Sequence, residues 1–188
     1  NTNCESDNTN CESDNTNCES DIHKHFKILH KHLYNKYRND IKYLYPHDFK
    51  HGTYRITRPG YYMLGSNITF NPNPDFNWQP LYCDKRYSAL AYMFGFFSAI
   101  TIECDNVIFD LNGHTLKQSE EHALQQRFFS LIELANSPFI PGQGPGHFGN
   151  HITSIRNILI RNGRIGRSSH HGIHGNNVNG LLCHSLKI

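Results

Sequence analysis

The densest run of side chains capable of chemistry lies near the end of the chain. Ser168-Ser169-His170-His171-Gly172-Ile173-His174 follows closely on Arg156, Arg161, Arg164 and Arg167. Imidazoles titrate near neutrality and serve as acid, base or ligand. Guanidiniums grip carboxylates and phosphates through a rigid fork of donors. Arg164, Arg167, His170, His171 and His174 are therefore the candidate ligand-binding residues, forming one basic strip. The imidazoles could serve a metal, a sugar or a phosphate. The plainer reading is a turn between strands with exposed rings. No metal site and no cofactor is assigned.

Acids are what this region lacks. Glycoside hydrolysis needs two carboxylates flanking the scissile bond, yet Glu133 is the last acid and residues 134–188 contain none. The earlier acids Glu103, Asp105 and Asp110 lie around short apolar runs. Asp105 is placed at a turn. A calcium-dependent lyase would need a carboxylate cluster for its ion, and none accompanies the arginines. No catalytic residue is assigned. Of the six cysteines, Cys4, Cys11 and Cys18 belong to a repeat, while Cys83, Cys104 and Cys183 are far apart with no CxxC. Zinc sites want ligands paired at short spacing. Reduced thiols are expected, which favours an intracellular site of synthesis.

Three segments of different character must position these groups. Residues 1–21 are the heptapeptide Asn-Thr-Asn-Cys-Glu-Ser-Asp three times over. One small thiol per heptad cannot build a coiled-coil seam, so the reading is a disordered, acidic tail. Residues 22–46 read as a basic amphipathic helix. Ile22, Phe26, Leu29, Leu33, Tyr37, Ile41 and Leu44 share one helical face, and Lys24, Lys27, Lys31, Lys36, Arg38 and Lys42 stand off it. Ser20 and Asp21 can cap its start, and Pro46 is expected to end it. The helix is expected to cover the open end of the domain that follows; the alternative is a helix lying on anionic lipid or nucleic acid. Its four histidines, His23, His25, His30 and His32, pair at a separation of seven, whereas helical metal ligands prefer three or four.

Residues 52–188 read as β structure, in short runs rich in Ile, Val, Phe and Tyr between Gly, Asn and Pro turns. Two long segments interrupt them: an aromatic-rich insertion from Phe76 to Phe97, and a Pro/Gly-rich one from Asn136 to Gly149. The first could stack on sugar rings or pack as a plug. The uncharged stretch from Tyr87 to Ile102 has 16 residues, short of the roughly 20 that a spanning helix needs. No membrane span is expected.

Internal periodicity narrows the choice. Asn157-Ile158-Leu159-Ile160 and Asn179-Gly180-Leu181-Leu182 are offset by 22 residues, and Asn106-Val107-Ile108-Phe109 precedes the first by 51. Gly60-Tyr61-Tyr62-Met63-Leu64-Gly65-Ser66-Asn67-Ile68 resembles the opening coil of pectin-lyase-like right-handed parallel β-helix proteins. Ala99 through Asp110-Leu111-Asn112-Gly113-His114-Thr115-Leu116 is similar to their next coil, and Asn162-Gly163-Arg164-Ile165 with Gly172-Ile173-His174 to a further step. The resemblance covers about residues 52–188 and implies that Asp110, lying in a structural coil, bonds turn amides. It implies an all-β class, a right-handed parallel β-helix (solenoid) preceded by an amphipathic capping helix and a disordered repeat.

Function follows less tightly, because that superfamily hosts lyases, hydrolases, phage tailspikes and uncharacterised viral proteins. The expectation is a non-catalytic structural or carbohydrate-binding module. Its alternative is a polysaccharide lyase or glycoside hydrolase with catalytic residues beyond residue 188. Expected partners are a polysaccharide or glycan and further copies, as in a homotrimer; net charge of only +2 argues against nucleic acid. The Asn, Ile and Tyr bias and the tandem tail resemble β-helix proteins of giant DNA viruses, which implies a virion or host-cytoplasm setting. Asn1 falls inside a repeat and Leu186-Lys187-Ile188 reads as mid-strand, so a fragment cut at both ends is expected.

Overall fold

A computed structural model describes residues 13–50, 52–71, 73–76, 97–125, 129–134, 154–175 and 177–188. The expectations for residues 1–12 and for nearly all of the two insertions, Trp78, Tyr82, Tyr87, Tyr92 and Phe94 included, lie outside these residues. The chain opens with a helix, α1 (Ser13–Tyr37), followed by the strands β1 (Ile41–Leu44), β2 (Tyr54–Ile56), β3 (Gly60–Leu64) and β4 (Ile68–Phe70). Then come β5 (Phe97–Ile102), β6 (Val107–Asp110), β7 (Thr115–Gln118), a single-turn helix α2 (Glu120–Leu124), β8 (Phe129–Leu134), β9 (Ile155–Ile165), β10 (His171–Gly175) and β11 (Val178–Lys187).

Every strand pairing described is parallel. Seven strands form one sheet in the order β1-β3-β6-β9-β7-β4, with β11 also pairing β9, and four form a second in the order β10-β8-β5-β2. Inward residues of both sheets build one core, in which Leu44, Ile56, Leu64, Phe70, Ile100, Ile102, Phe109, Leu116, Phe129 and Ile160 are completely buried. Each such side chain contributes roughly 1.5–3 kcal/mol, so this core is the main stabilising term.

The expected class, an all-β right-handed solenoid with a capping helix, is corrected by this arrangement. The strands are gathered into a seven-stranded and a four-stranded parallel sheet together with helices, a parallel α/β-type class. The reason lies in the spacing. Ile41 stands beside Tyr61, Gly60 beside Val107, Val107 beside Ile158 and Ile155 beside Val178, offsets of 20, 47, 51 and 23 residues. In the other sheet Tyr54 stands beside Ile100, Phe97 beside Phe129 and Ser130 beside His171, offsets of 46, 32 and 41. No constant period runs through the chain. The 22-residue offset that suggested one also misplaces Asn179, which pairs with Arg156 rather than standing level with Asn157.

What the Asn-x-aliphatic pattern does report is local backbone. Asn106 and Asn157 both adopt φ of 60°, and Gly180 adopts 81°. These are left-handed positions, which asparagine and glycine tolerate best. The Asn157 side-chain amide donates to Asn106 Oδ1 at 2.9 Å.

The helix is also placed differently. α1 begins at Ser13, within the heptapeptide repeat, and ends at Tyr37 rather than at Pro46. Ile41 and Leu44 fit the helical stripe by spacing, but they belong to β1. α1 does not close an open end. Its Leu33, only 3% exposed, packs with Leu29 and Tyr37 on the outward faces of Tyr61, Ile108, Leu159 and Leu182. Those four stand in register on β3, β6, β9 and β11, so the helix crosses the strands of the larger sheet. No helix of the described residues is long and apolar enough to cross a membrane.

Candidate functional site

The first site is built by alternation in β4, β7 and the last third of β9. Ile68 and Phe70, Leu116 and Gln118, and Ile165 turn inward; Thr69, Lys117 and Arg164 are exposed and Thr115 is partly so. Register sets Thr69 beside Lys117, Thr115 beside Arg164 and Arg164 beside Lys187 of β11. The result is a groove of about 480 Å³ whose lining includes Asn67, Thr69, Thr115, Lys117, Arg164, Gly166 and Arg167. Asn67 Oδ1 accepts from the Thr115 amide at 2.9 Å and so fixes one wall. Gly166 keeps the groove open: a Cβ there would come within 2.9 Å of Lys117 Cβ.

Charge pairing differs among the arginines of the strands and the groove. Arg55 binds Glu103 through Nε at 2.6 Å, Arg156 binds Asp105 at 3.2 Å and Arg161 binds Asp110 at 2.7 Å. Arg167 reaches Glu120 at 3.8 Å and donates to the Gln118 carbonyl at 3.3 Å. Among the described residues, Lys117, Arg164 and Lys187 form no ion pair; Lys117 and Arg164 share the groove, and Lys187 stands beside Arg164.

The expected basic strip is thereby divided. Arg164 and Arg167 line the groove, whereas His171 and His174 lie on β10 in the four-stranded sheet, with His170 in the turn before it. There the partner that sequence reasoning did not supply is Glu133 of β8, 2% exposed and in register with His174. Both carboxylate oxygens lie 3.0 Å from His174 Nδ1, and Ser130 Oγ donates to Oε2 at 3.0 Å. The His171 ring sits 4.9 Å from that of His174, and His170 6.3 Å from His171. Burial pushes the Glu133 carboxyl above its usual range, against the opposing pull of His174. The hydrogen bond to Glu133 raises His174, with burial acting the other way. Burial lowers His171, helped by the nearby charges of His174 and His170. A signal for this pair was present: Ser130 and Glu133 interrupt an otherwise apolar strand, Phe129-Ser130-Leu131-Ile132-Glu133-Leu134.

The other acids serve the scaffold. Asp110, 2% exposed, accepts from the Asn112 amide and the Tyr61 hydroxyl, each at 2.8 Å, and from Asn162 Nδ2 at 3.3 Å, besides its bond to Arg161. Asp105 accepts from the Arg156 amide at 2.9 Å. Among the described residues no three His, Cys, Asp or Glu side chains are grouped to hold a metal ion. Comparison with protein-family models, with curated proteins and with solved structures gives no match.

Proposed function

We propose that this chain is a non-catalytic carbohydrate-binding module whose ligand is an anionic glycan lying in the groove between β4, β7 and β9. The observation that carries the reading is that Lys117 and Arg164 line one groove, with Lys187 beside Arg164 on β11, all three without acidic partners among the described residues, in a chain whose strand arginines are otherwise matched to acids. Cations of this kind await an external anion. Hydroxyl and amide groups from Asn67, Thr69 and Thr115 are interleaved with them. A glycan bearing both acid groups and hydroxyls needs that mixture. Among the described residues the lining contains no aromatic ring, so they offer no platform for stacking bases, which single-stranded nucleic acids use. A hydrolytic role would need two carboxylates across a sugar bond, whereas Glu103, Asp105 and Asp110 are each engaged by an arginine.

Calorimetry with polygalacturonate, neutral dextran and single-stranded DNA tests the reading. Polygalacturonate should bind, more weakly as salt rises, and dextran should not. Lys117→Ala with Arg164→Ala should remove the binding without loss of folding. Equal binding of dextran, preference for DNA, or undiminished binding by the double variant would defeat it.

A further inference from the structure

The Glu133–His174 pair has no part in the groove, and its position raises a separate question. β10 is an edge strand of the four-stranded sheet, and among the described residues its strand pairing is with β8. All but one of its residues are partly exposed. Across that single seam, a nearly buried carboxylate meets an imidazole that reaches the surface, His174 being 21% exposed. We propose that the Glu133–His174 contact is a pH-sensitive fastening of β10, which holds the edge strand when the imidazole carries its proton and slackens when the proton leaves.

The Glu133 carboxylate has few other donors around it. Ser130 on β8 gives Glu133 one hydroxyl donor, and on β5 the residues in register are the neutral Ser98 and Thr101. The nearest guanidinium in that row, Arg55 on β2, is already bound to Glu103. His174 is thus the only cationic partner of Glu133 among the described contacts. With the imidazole protonated, the pair is neutral overall and its hydrogen bond is charge-assisted. Once the imidazole is neutral, a buried anion remains with weaker donors, an unfavourable state.

The direction follows from linkage. His174 is raised from its usual 6.5, so its contribution is fully present below 6.5 and fades as pH climbs through its folded value. Glu133 is raised as well, so ionising it opposes folding as pH rises, and both groups act in the same sense. His171 acts oppositely. It is lowered, and forcing a proton onto it beside His174 and His170 weakens the same strand on the acid side of 6.5. The fastening is therefore tightest in a band near the ordinary histidine range, bounded by His171 below and His174 above.

Two measurements on the intact chain decide the matter. Nitrogen-detected NMR should find His174 titrating above 6.5, with Nδ1 keeping its proton throughout. Amide exchange, corrected for intrinsic rates, should find residues 171–175 less protected relative to β5 at about pH 8.5 than at about pH 6.5. In Glu133→Gln, which keeps a hydrogen-bond acceptor without charge, that loss of protection should vanish. A His174 titration at or below 6.5 overturns the proposal, as does unchanged pH dependence in Glu133→Gln. Should that variant fail to fold, the wild-type titration alone settles the outcome.

Discussion

Asp110 is where single-residue chemistry most affects the scaffold. It joins β3, β6 and β9 by accepting from Tyr61, Arg161 and Asn162 at once, and it holds the turn at Asn112. The Arg161 guanidinium also lies 5.5 Å from the Tyr61 ring centre and 6.0 Å from that of Tyr34 on α1. Burial, and then the bond to Asp110, push the Tyr61 phenol up to about 12. Stability from this phenol is accordingly retained below 10 and lost only as pH rises through about 12. Removing one partner of a buried ion pair strands the other charge. Asp110→Asn should therefore destabilise by about 3 kcal/mol, the low end for such a change because Arg161 keeps some solvent, as read from denaturant unfolding. An effect below about 0.5 kcal/mol, the usual range for a surface change, would show the network to be incidental. That Asp110 would bond turn amides was implied by the resemblance, and it accepts from the Asn112 amide. Its pairing with Arg161, 51 residues onward, was not legible, because no local rule fixes which parallel strand lies alongside.

Element by element, the short apolar runs announced themselves. Tyr54–Ile56, Val107–Phe109, Leu131–Leu134 and Ile158–Ile160 all fall within strands. The helix was legible by its 3–4 spacing, and its end was not. Ile41 and Leu44 sit three residues apart, a spacing that serves a helical stripe as well as two opposite faces of a strand. Here Ile41 packs against the helix cluster and Leu44 against the main core. The turn is closed by Arg38 and Asp40 amides donating to the Tyr34 and Tyr37 carbonyls at 2.8 and 2.9 Å. α1 rests on an outward face of the sheet, so its anchoring depends on few side chains. Leu33→Ala should cost about 2–5 kcal/mol, the usual range for a buried leucine, and Leu33→Asp should release the helix, increasing amide exchange along α1. If Leu33→Asp left stability and exchange unchanged while abolishing binding to anionic vesicles, the helix would belong to a membrane surface instead.

At the scale of the whole molecule, charge placement says more than net charge. The chain carries only +2 overall, which reads as unremarkable until the register is known. Parallel pairing then matches Arg55, Arg156 and Arg161 to acids, brings Lys117 and Arg164 to one groove, and sets Lys187 beside Arg164. Sequence reasoning singled out Arg164 and Arg167 from their density, and both line the groove. It missed Lys117, which lies 47 residues before Arg164 and reaches it only through the β7–β9 pairing. It joined His171 and His174 to the arginines because they are close in sequence, whereas the chain carries them to the other sheet. The anionic-glycan reading thus makes a spatial claim, and mapping amide shifts during titration with oligogalacturonate tests it most directly. Thr69, Thr115, Lys117 and Gly166 should move together and saturate, with β10 and α1 unmoved. Shifts centred on the basic face of α1 or on His171 and His174, with the groove silent, would contradict it.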